Sequence, residues 1–278
     1  MHTQYRPDID GLRAIAVLAV VFFHASIPGF SGGFVGVDIF FVISGFLITS
    51  IILNDVQQGR FSIINFYERR VRRIFPALFS MMAFTVLGTA YLFDPMAFRN
   101  FGKSIIATTL FISNIFFWLQ SGYFEGSSLL KPLLHTWSLA VEEQFYILFP
   151  IAIHFIHRSS TRRYTLWIAA FFLISLVANL IGFSFSPSAT FYLVHSRAWE
   201  LLAGSLLALG ALPKPSRPWV RHLLSLSGLG LIAFSIGFFD ESTPFPGYHA
   251  IPPVLGAVLI LQAHGDHPGI VNRVLSTR

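Results

Sequence analysis

The feature that most constrains this chain is a succession of apolar runs of roughly 17 to 22 residues, the length an α-helix needs to cross a hydrocarbon core of ~30 Å. Nine such segments are read, near Leu12 to Ile27, Phe34 to Leu53, Ile74 to Phe93, Phe101 to Leu119, Trp137 to His157, Leu166 to Phe183, Phe191 to Leu212, Leu223 to Phe239 and Ile251 to Ala263. A membrane β-barrel needs short alternating segments, whereas stretches such as Leu166 to Ile181 are apolar all round, so the expectation is an all-α polytopic transmembrane bundle. Composition agrees: 54% of residues are hydrophobic and 12% charged, against about 25% charged in an ordinary soluble domain.

Charge placement then bears on topology. The net charge of +6 would suit a nucleic-acid binder, but the basic residues stand in short loops beside the apolar segments, the usual address for anionic lipid and membrane orientation. If all nine segments crossed from a cytoplasmic N-terminus, the basic loops Arg158 to Arg163 and Lys214 to Arg221 would fall outside, against the positive-inside bias. A re-entrant fourth segment, polar at Lys103, Ser104, Thr108, Thr109, Ser113 and Asn114, returns every strongly basic loop to the cytoplasm and the Asp240-Glu241 loop to the outside. The preferred expectation is therefore eight spans plus one re-entrant segment, with nine spans as the alternative. The first run, behind Arg13, lacks a small-residue cleavage site and reads as a retained signal anchor.

Ionisable residues inside a bilayer cost a few kcal/mol each and mark candidate sites. Arg13 and His24 are eleven residues apart, which brings them within about 20° of one helix face and ~16 Å apart along it. That spacing reads as a passage with a cation at its cytoplasmic mouth and an imidazole deep inside, able to act as general base. The bland alternative is a snorkelling arginine and a histidine bonded to a neighbouring helix. Arg69, Arg70, Arg72 and Arg73 precede the third segment; they read either as a lipid-facing topology anchor or as i, i+3 pairs, Arg69 with Arg72 and Arg70 with Arg73, clamping a polyphosphate.

In Trp137 to Tyr146, adjacent Glu142 and Glu143 point about 100° apart, so at most one faces a given cavity, and pairing of one with Arg13 or Arg197 competes with catalysis. Arg197 and Glu200 lie at i, i+3, the spacing of a mutually neutralising pair. Asp38 opens the second segment beside the turn Ser31 to Gly36, whose glycines permit close packing or a tight turn. Ser44 and Gly45 allow close helix approach, with Ser44 as nucleophile the minor alternative. The absence of cysteine excludes disulfides, thiolate metal sites and a cysteine acyl intermediate, and the histidines form no ligand-spaced metal cluster.

Five stretches occur together and in order: Tyr5 to His24, Gly33 to Ile48, the arginine cluster, His135 to Tyr146 and Arg197 to Gly204. Together they resemble the acyltransferase 3 family, and within it the bacterial O-antigen and cell-surface polysaccharide O-acetyltransferases. The resemblance implies a multi-pass protein of the bacterial inner membrane. It implies transfer of an acyl group, usually acetyl, from cytosolic acyl-CoA to a glycan hydroxyl at the outer face of that membrane, without a metal.

Carried onto this sequence, it makes Arg13 and His24 the catalytic pair and the Arg-x-x-Arg either Arg70 with Arg73 or Arg69 with Arg72. It raises Glu142, the candidate to orient or charge-balance His24, and Arg197 with Glu200, while Asp38, Ser138 and Glu143 stay as further pore candidates; His24 either deprotonates the acceptor hydroxyl or carries the acyl group transiently. Pantetheine is roughly long enough to match the ~16 Å between Arg13 and His24. Full-length relatives continue into further spans and often an SGNH-type domain, so residues 1–278 are expected to be one membrane domain that stops before both. The rival classes are a permease for a glycan or lipid-linked intermediate, which predicts repeats and broken helices in matching halves, and a non-catalytic glycan anchor or sensor.

Overall fold

The computed structural model describes residues 5–121, 131–156, 161–265 and 267–277, with the side chains of 154–156 and 161–163 set aside. Residues 158–160 of the expected basic loop Arg158 to Arg163, and the expected end of the fifth segment at His157, lie outside what is described, while the remainder of that loop begins a helix. Every regular element among the described residues is helical. The helices are α1 (Pro7–His24), α2 (Gly36–Gln57), α3 (Ile63–Leu92), α4 (Pro95–Thr109), α5 (Ser113–Leu119), α6 (Thr136–Ile156), α7 (Thr161–Phe185), α8 (Pro187–Tyr192), α9 (Val194–Ala208), α10 (Pro218–Phe238), α11 (Ile251–Gln262) and α12 (Ile270–Leu275).

Among the described residues, four helical stretches are long and apolar enough to cross a membrane: Gly33–Gln57, Ile63–Leu92, Tyr164–Phe185 and Pro218–Phe238. On α7, Leu166, Trp167, Phe171, Leu173 and Ile174 are all exposed. Such a ridge is unfavourable in water and ordinary against lipid tails. The 30 residues of α3 extend ~45 Å, more than a ~30 Å hydrocarbon core, so its charged first turns reach beyond the apolar layer.

The residues cluster into two compact units, one of Met1–Asn54, Ser159–Phe191 and His195–Arg278, the other of Asp55–Arg158 and Tyr192–Val194. In the first, α1 buries Asp8, Ile9, Leu12, Ala16 and Ala19, a stripe at helical spacing. Its alanines admit the turn at Gly33–Val35: a Cβ at Gly33 would run into the Ala19 carbonyl oxygen, and one at Gly36 into that of Ala16. The glycine-rich turn is thus a close-packing device.

The same logic joins α2 to α9. A Cβ at Gly45 would meet the Leu201 carbonyl oxygen and one at Gly204 that of Val42, and beside this crossing buried Thr49 donates to Ser205 at 2.9 Å. Helix α2 is apolar all round because it runs through the core, where Ile39, Phe41, Val42 and Ile43 have no exposed surface.

In the second unit the fourth apolar segment is not one helix. It breaks into α4 and α5 at Leu110 to Ile112, where Phe111 takes a positive φ of 54°. The seventh segment also breaks, at Leu193 between α8 and α9. The two breaks meet at buried Asn114, whose Nδ2 donates to the Tyr192 carbonyl at 3.1 Å, while Gln144 Nε2 donates to Phe111 O at 2.9 Å and Asn114 Oδ1 at 2.8 Å. Freed backbone carbonyls are thereby satisfied by side chains, the condition for irregular backbone at membrane depth. Hydropathy alone does not reveal either interruption, because the residues at the breaks are themselves apolar.

Candidate functional site

Arg13 and His24 lie on α1, on the side away from its buried stripe. Arg13 is partly buried and contacts Asp10 at 3.4 Å; His24 is the last residue of the helix, exposed, with Nδ1 2.8 Å from the Val20 carbonyl oxygen. The shared face follows from periodicity. His24 stands at the C-terminal end of that face.

Below that end, aromatic rings connect α1 to an ionic centre within the same unit. Phe23 packs on His24 at 5.1 Å and on Phe34 at 5.5 Å between ring centroids, and Phe34 meets Phe245 at 4.9 Å. The Phe245 ring lies 5.6 Å from the Arg197 guanidinium, and Phe41 and Phe191 flank the same cation at 5.5 and 5.8 Å.

Arg197 donates from Nη2 to Asp38 Oδ1 at 2.9 Å and approaches Glu200 Oε1 with Nη1 at 3.2 Å, and all three side chains are buried. The i, i+3 pair expected from sequence is present, but it is two-thirds of the arrangement: Asp38, 159 residues away from Arg197, completes it. Asp38 is fully enclosed in the first turn of α2. Ser44 lies on the same helix next to the close-contact Gly45.

The arginine cluster occupies the start of α3, where Ser62 caps the helix by accepting from Asn65 N. Its members do not act alike. Arg70 turns inward: Nη2 donates to Glu143 Oε1 at 3.0 Å and the guanidinium lies 3.6 Å over the Tyr146 ring. Arg69 donates to Asp55 at 2.9 Å and Arg72 to Glu68 at 2.6 Å; both remain exposed, as does Arg73. An Arg70 and Arg73 clamp would therefore have to displace Glu143 from Arg70, whereas Arg69 and Arg72 hold only surface carboxylates.

On α6 the two glutamates diverge as helix geometry requires. Glu143 is buried against Arg70, and Glu142 accepts from the Tyr146 hydroxyl at 3.3 Å. One glutamate does pair with an arginine, the alternative to catalysis, but the arginine that meets Glu143 is Arg70 and neither Arg13 nor Arg197. Ser138 Oγ donates back to the His135 carbonyl at 3.3 Å. Sequence reasoning missed the role of Tyr146 and the bonding of Asn114 to Gln144; Asn114 stood out only as one of the polar residues of the fourth segment. Among the described residues no group of three His, Asp or Glu side chains is placed to hold a metal ion.

The pattern of the acyltransferase domain family matches residues 6–268, and the chain belongs to that family. Among named relatives, it is 33% identical to the O-acetyltransferase OatA of Staphylococcus aureus over 239 residues, 84% of this chain and 40% of the relative. It is 34% identical to the peptidoglycan O-acetyltransferase OatA of Listeria monocytogenes over 281 residues, 95% of this chain and 44% of the relative. It is also 34% identical to the putative peptidoglycan O-acetyltransferase YrhL of Bacillus subtilis over 267 residues, 88% of this chain and 40% of the relative. The chain thus spans about two-fifths of the length of the curated relatives it matches. No solved structure matches it.

Proposed function

We propose that this chain is the membrane-embedded acyl-transfer part of an O-acetyltransferase of the bacterial cytoplasmic membrane. It takes an acetyl group from cytosolic acyl-CoA and passes it to a hydroxyl of a cell-surface glycan, for which the relatives' names favour peptidoglycan over O-antigen. The observation that carries the reading is the two-sidedness of α1, which buries Asp8, Leu12, Ala16 and Ala19 and leaves Arg13 and His24 off that stripe. Packing alone gives no reason for a cation and an imidazole to share the side of α1 that lies off its buried stripe.

In the proposed step His24 takes the proton of the acceptor hydroxyl as its oxygen attacks the thioester carbonyl. The C–O bond forms, the C–S bond breaks, and the proton passes to the departing thiolate. Arg13 offers a cation to the donor. Arg69, Arg72 and Arg73, whose side chains are exposed, dock the CoA phosphates, while Arg70 is held by Glu143.

Membranes carrying the full-length protein are incubated with radiolabelled acetyl-CoA and acceptor glycan. Label transfer is expected, with His24→Ala reducing it by about 10² to 10⁴-fold; transfer that survives the substitution overturns the role of His24. The second reading, a glycan permease, draws on the two interrupted helices that meet at Asn114, a feature of transport proteins. Saturable glycan flux without label transfer would favour it.

A further inference from the structure

The first turn of α1 is anchored from behind. Its N-cap residue Arg6 makes no side-chain capping bond, so the turn is held by tertiary contacts. Arg6 donates twice to Asp8, at 2.7 and 3.2 Å, and once to the Leu261 carbonyl at 3.3 Å. Asn272 on α12 donates both to Asp8 Oδ2 at 2.9 Å and to the Ile260 carbonyl at 2.9 Å, and His264 Nδ1 stands 3.4 Å from Asp8. Asp8 is 1% exposed and Asn272 fully buried. One turn further on, a Cβ at Gly11 would collide with the Leu275 carbonyl oxygen, so α12 lies directly against α1.

We infer that Asp8 and Asn272 are positioning residues that set the rotation and depth of α1, and through it the placement of Arg13 and His24. The inference rests on the acyl-transfer reading of that pair. Helical geometry supports it: Arg13 and His24 lie ~140° and ~160° around the axis from Asp8, so the anchor grips the opposite side of the rod that carries them. His24 stands ~24 Å along the axis from Asp8, and a one-residue slip at the anchor would swing it by ~100° and move it by ~1.5 Å. Asn272 is suited to the task because it bonds two elements at once, the α1 carboxylate and the end of α11. It lies beyond the stretch matched by the acyltransferase domain pattern.

The test separates position from folding and uses the absence of cysteine from residues 1–278. A spin label is attached to a cysteine introduced at Ala14 or Val21 in the full-length protein, with any cysteine outside residues 1–278 replaced by serine, with and without Asn272→Ala. Expected are a more mobile spectrum at both sites and a fall in transfer rate of up to about 100-fold, carried by kcat rather than by the KM for acetyl-CoA. The thermal midpoint of the purified protein should stay within a few degrees of the parent. Unchanged spectra, or activity lost only in proportion to folded protein, overturn the inference. A changed spectrum together with transfer that survives His24→Ala leaves the anchor standing and overturns its link to catalysis.

Discussion

The Arg197 guanidinium reaches the Asp38 carboxylate at 2.9 Å across 159 residues of sequence, and both side chains are almost wholly enclosed. The contact exists because Gly45 and Gly204 let α2 and α9 approach until backbone meets backbone. Charge this deep is tolerated only when paired, and one guanidinium here serves two carboxyl groups. Arg197→Met should destabilise the protein by about 3–5 kcal/mol, since it leaves both carboxyl groups without their cation. Glu200→Gln, which keeps the Arg197 and Asp38 pair, should cost clearly less. Thermal unfolding in detergent, followed by tryptophan fluorescence, ranks the two; equal losses would refute the ranking.

Gly45→Val should fail by collision. The added side chain has no room beside Leu201, and overpacking of this kind costs about 1–3 kcal/mol or more. Gly88→Ala, on α3 where a Cβ meets nothing within 4 Å, should be tolerated. Yield of monodisperse protein on size exclusion distinguishes them.

The arginine cluster should divide by role. Arg70→Ala strands buried Glu143 and removes the cation from the Tyr146 ring, so its main effect should be a lower thermal midpoint. Arg72→Ala breaks an exposed pair worth about 0–1 kcal/mol and should leave stability nearly unchanged while raising the KM for acetyl-CoA. Steady-state kinetics beside melting curves would show the split; a melting loss for Arg72→Ala as large as that for Arg70→Ala would contradict it.

Asp8, which precedes the apolar part of α1, should impose an acid limit on stability. Burial pushes its carboxyl upward, but the close approach of His264, hydrogen bonds from Arg6 and Asn272 and the Arg6 charge outweigh it and hold the group well below the usual carboxylate range. Because the folded value is the depressed one, the unfolded chain binds the proton first as pH falls. The stabilisation is therefore full above the unfolded value of about 3.9 and is lost progressively below it. Melting midpoints measured between about pH 5 and pH 2 should fall more steeply for the parent than for Asp8→Asn; parallel curves would sink the assignment.

Some of this arrangement was legible in sequence because it depends only on local geometry. The divergence of Glu142 and Glu143 follows from 100° per residue, and the shared face of Arg13 and His24 follows from the same period. The partner of Glu143 was not legible: Arg70, 73 residues away, reaches it only because α3 lies along α6, with the Tyr67 hydroxyl also bonded to the Ile147 carbonyl. Nor did periodicity show that Arg70 and Arg73, neighbours in the cluster, would differ in burial.

By itself the sequence determined an all-helical membrane chain, because long apolar runs leave backbone polar groups no partner in lipid except one another. It also determined which ionisable residues share a helix face. Tertiary structure alone decided where the helices break, at Phe111 and Leu193, since amides from Asn114 and Gln144 must arrive from elsewhere to satisfy the exposed carbonyls. It likewise decided which charges pair, joining Arg197 to Asp38 and anchoring Asp8 on Asn272. Local preferences act over a few residues, whereas a buried charge is stabilised by whichever opposite group the packing brings within hydrogen-bonding distance, however distant in the chain.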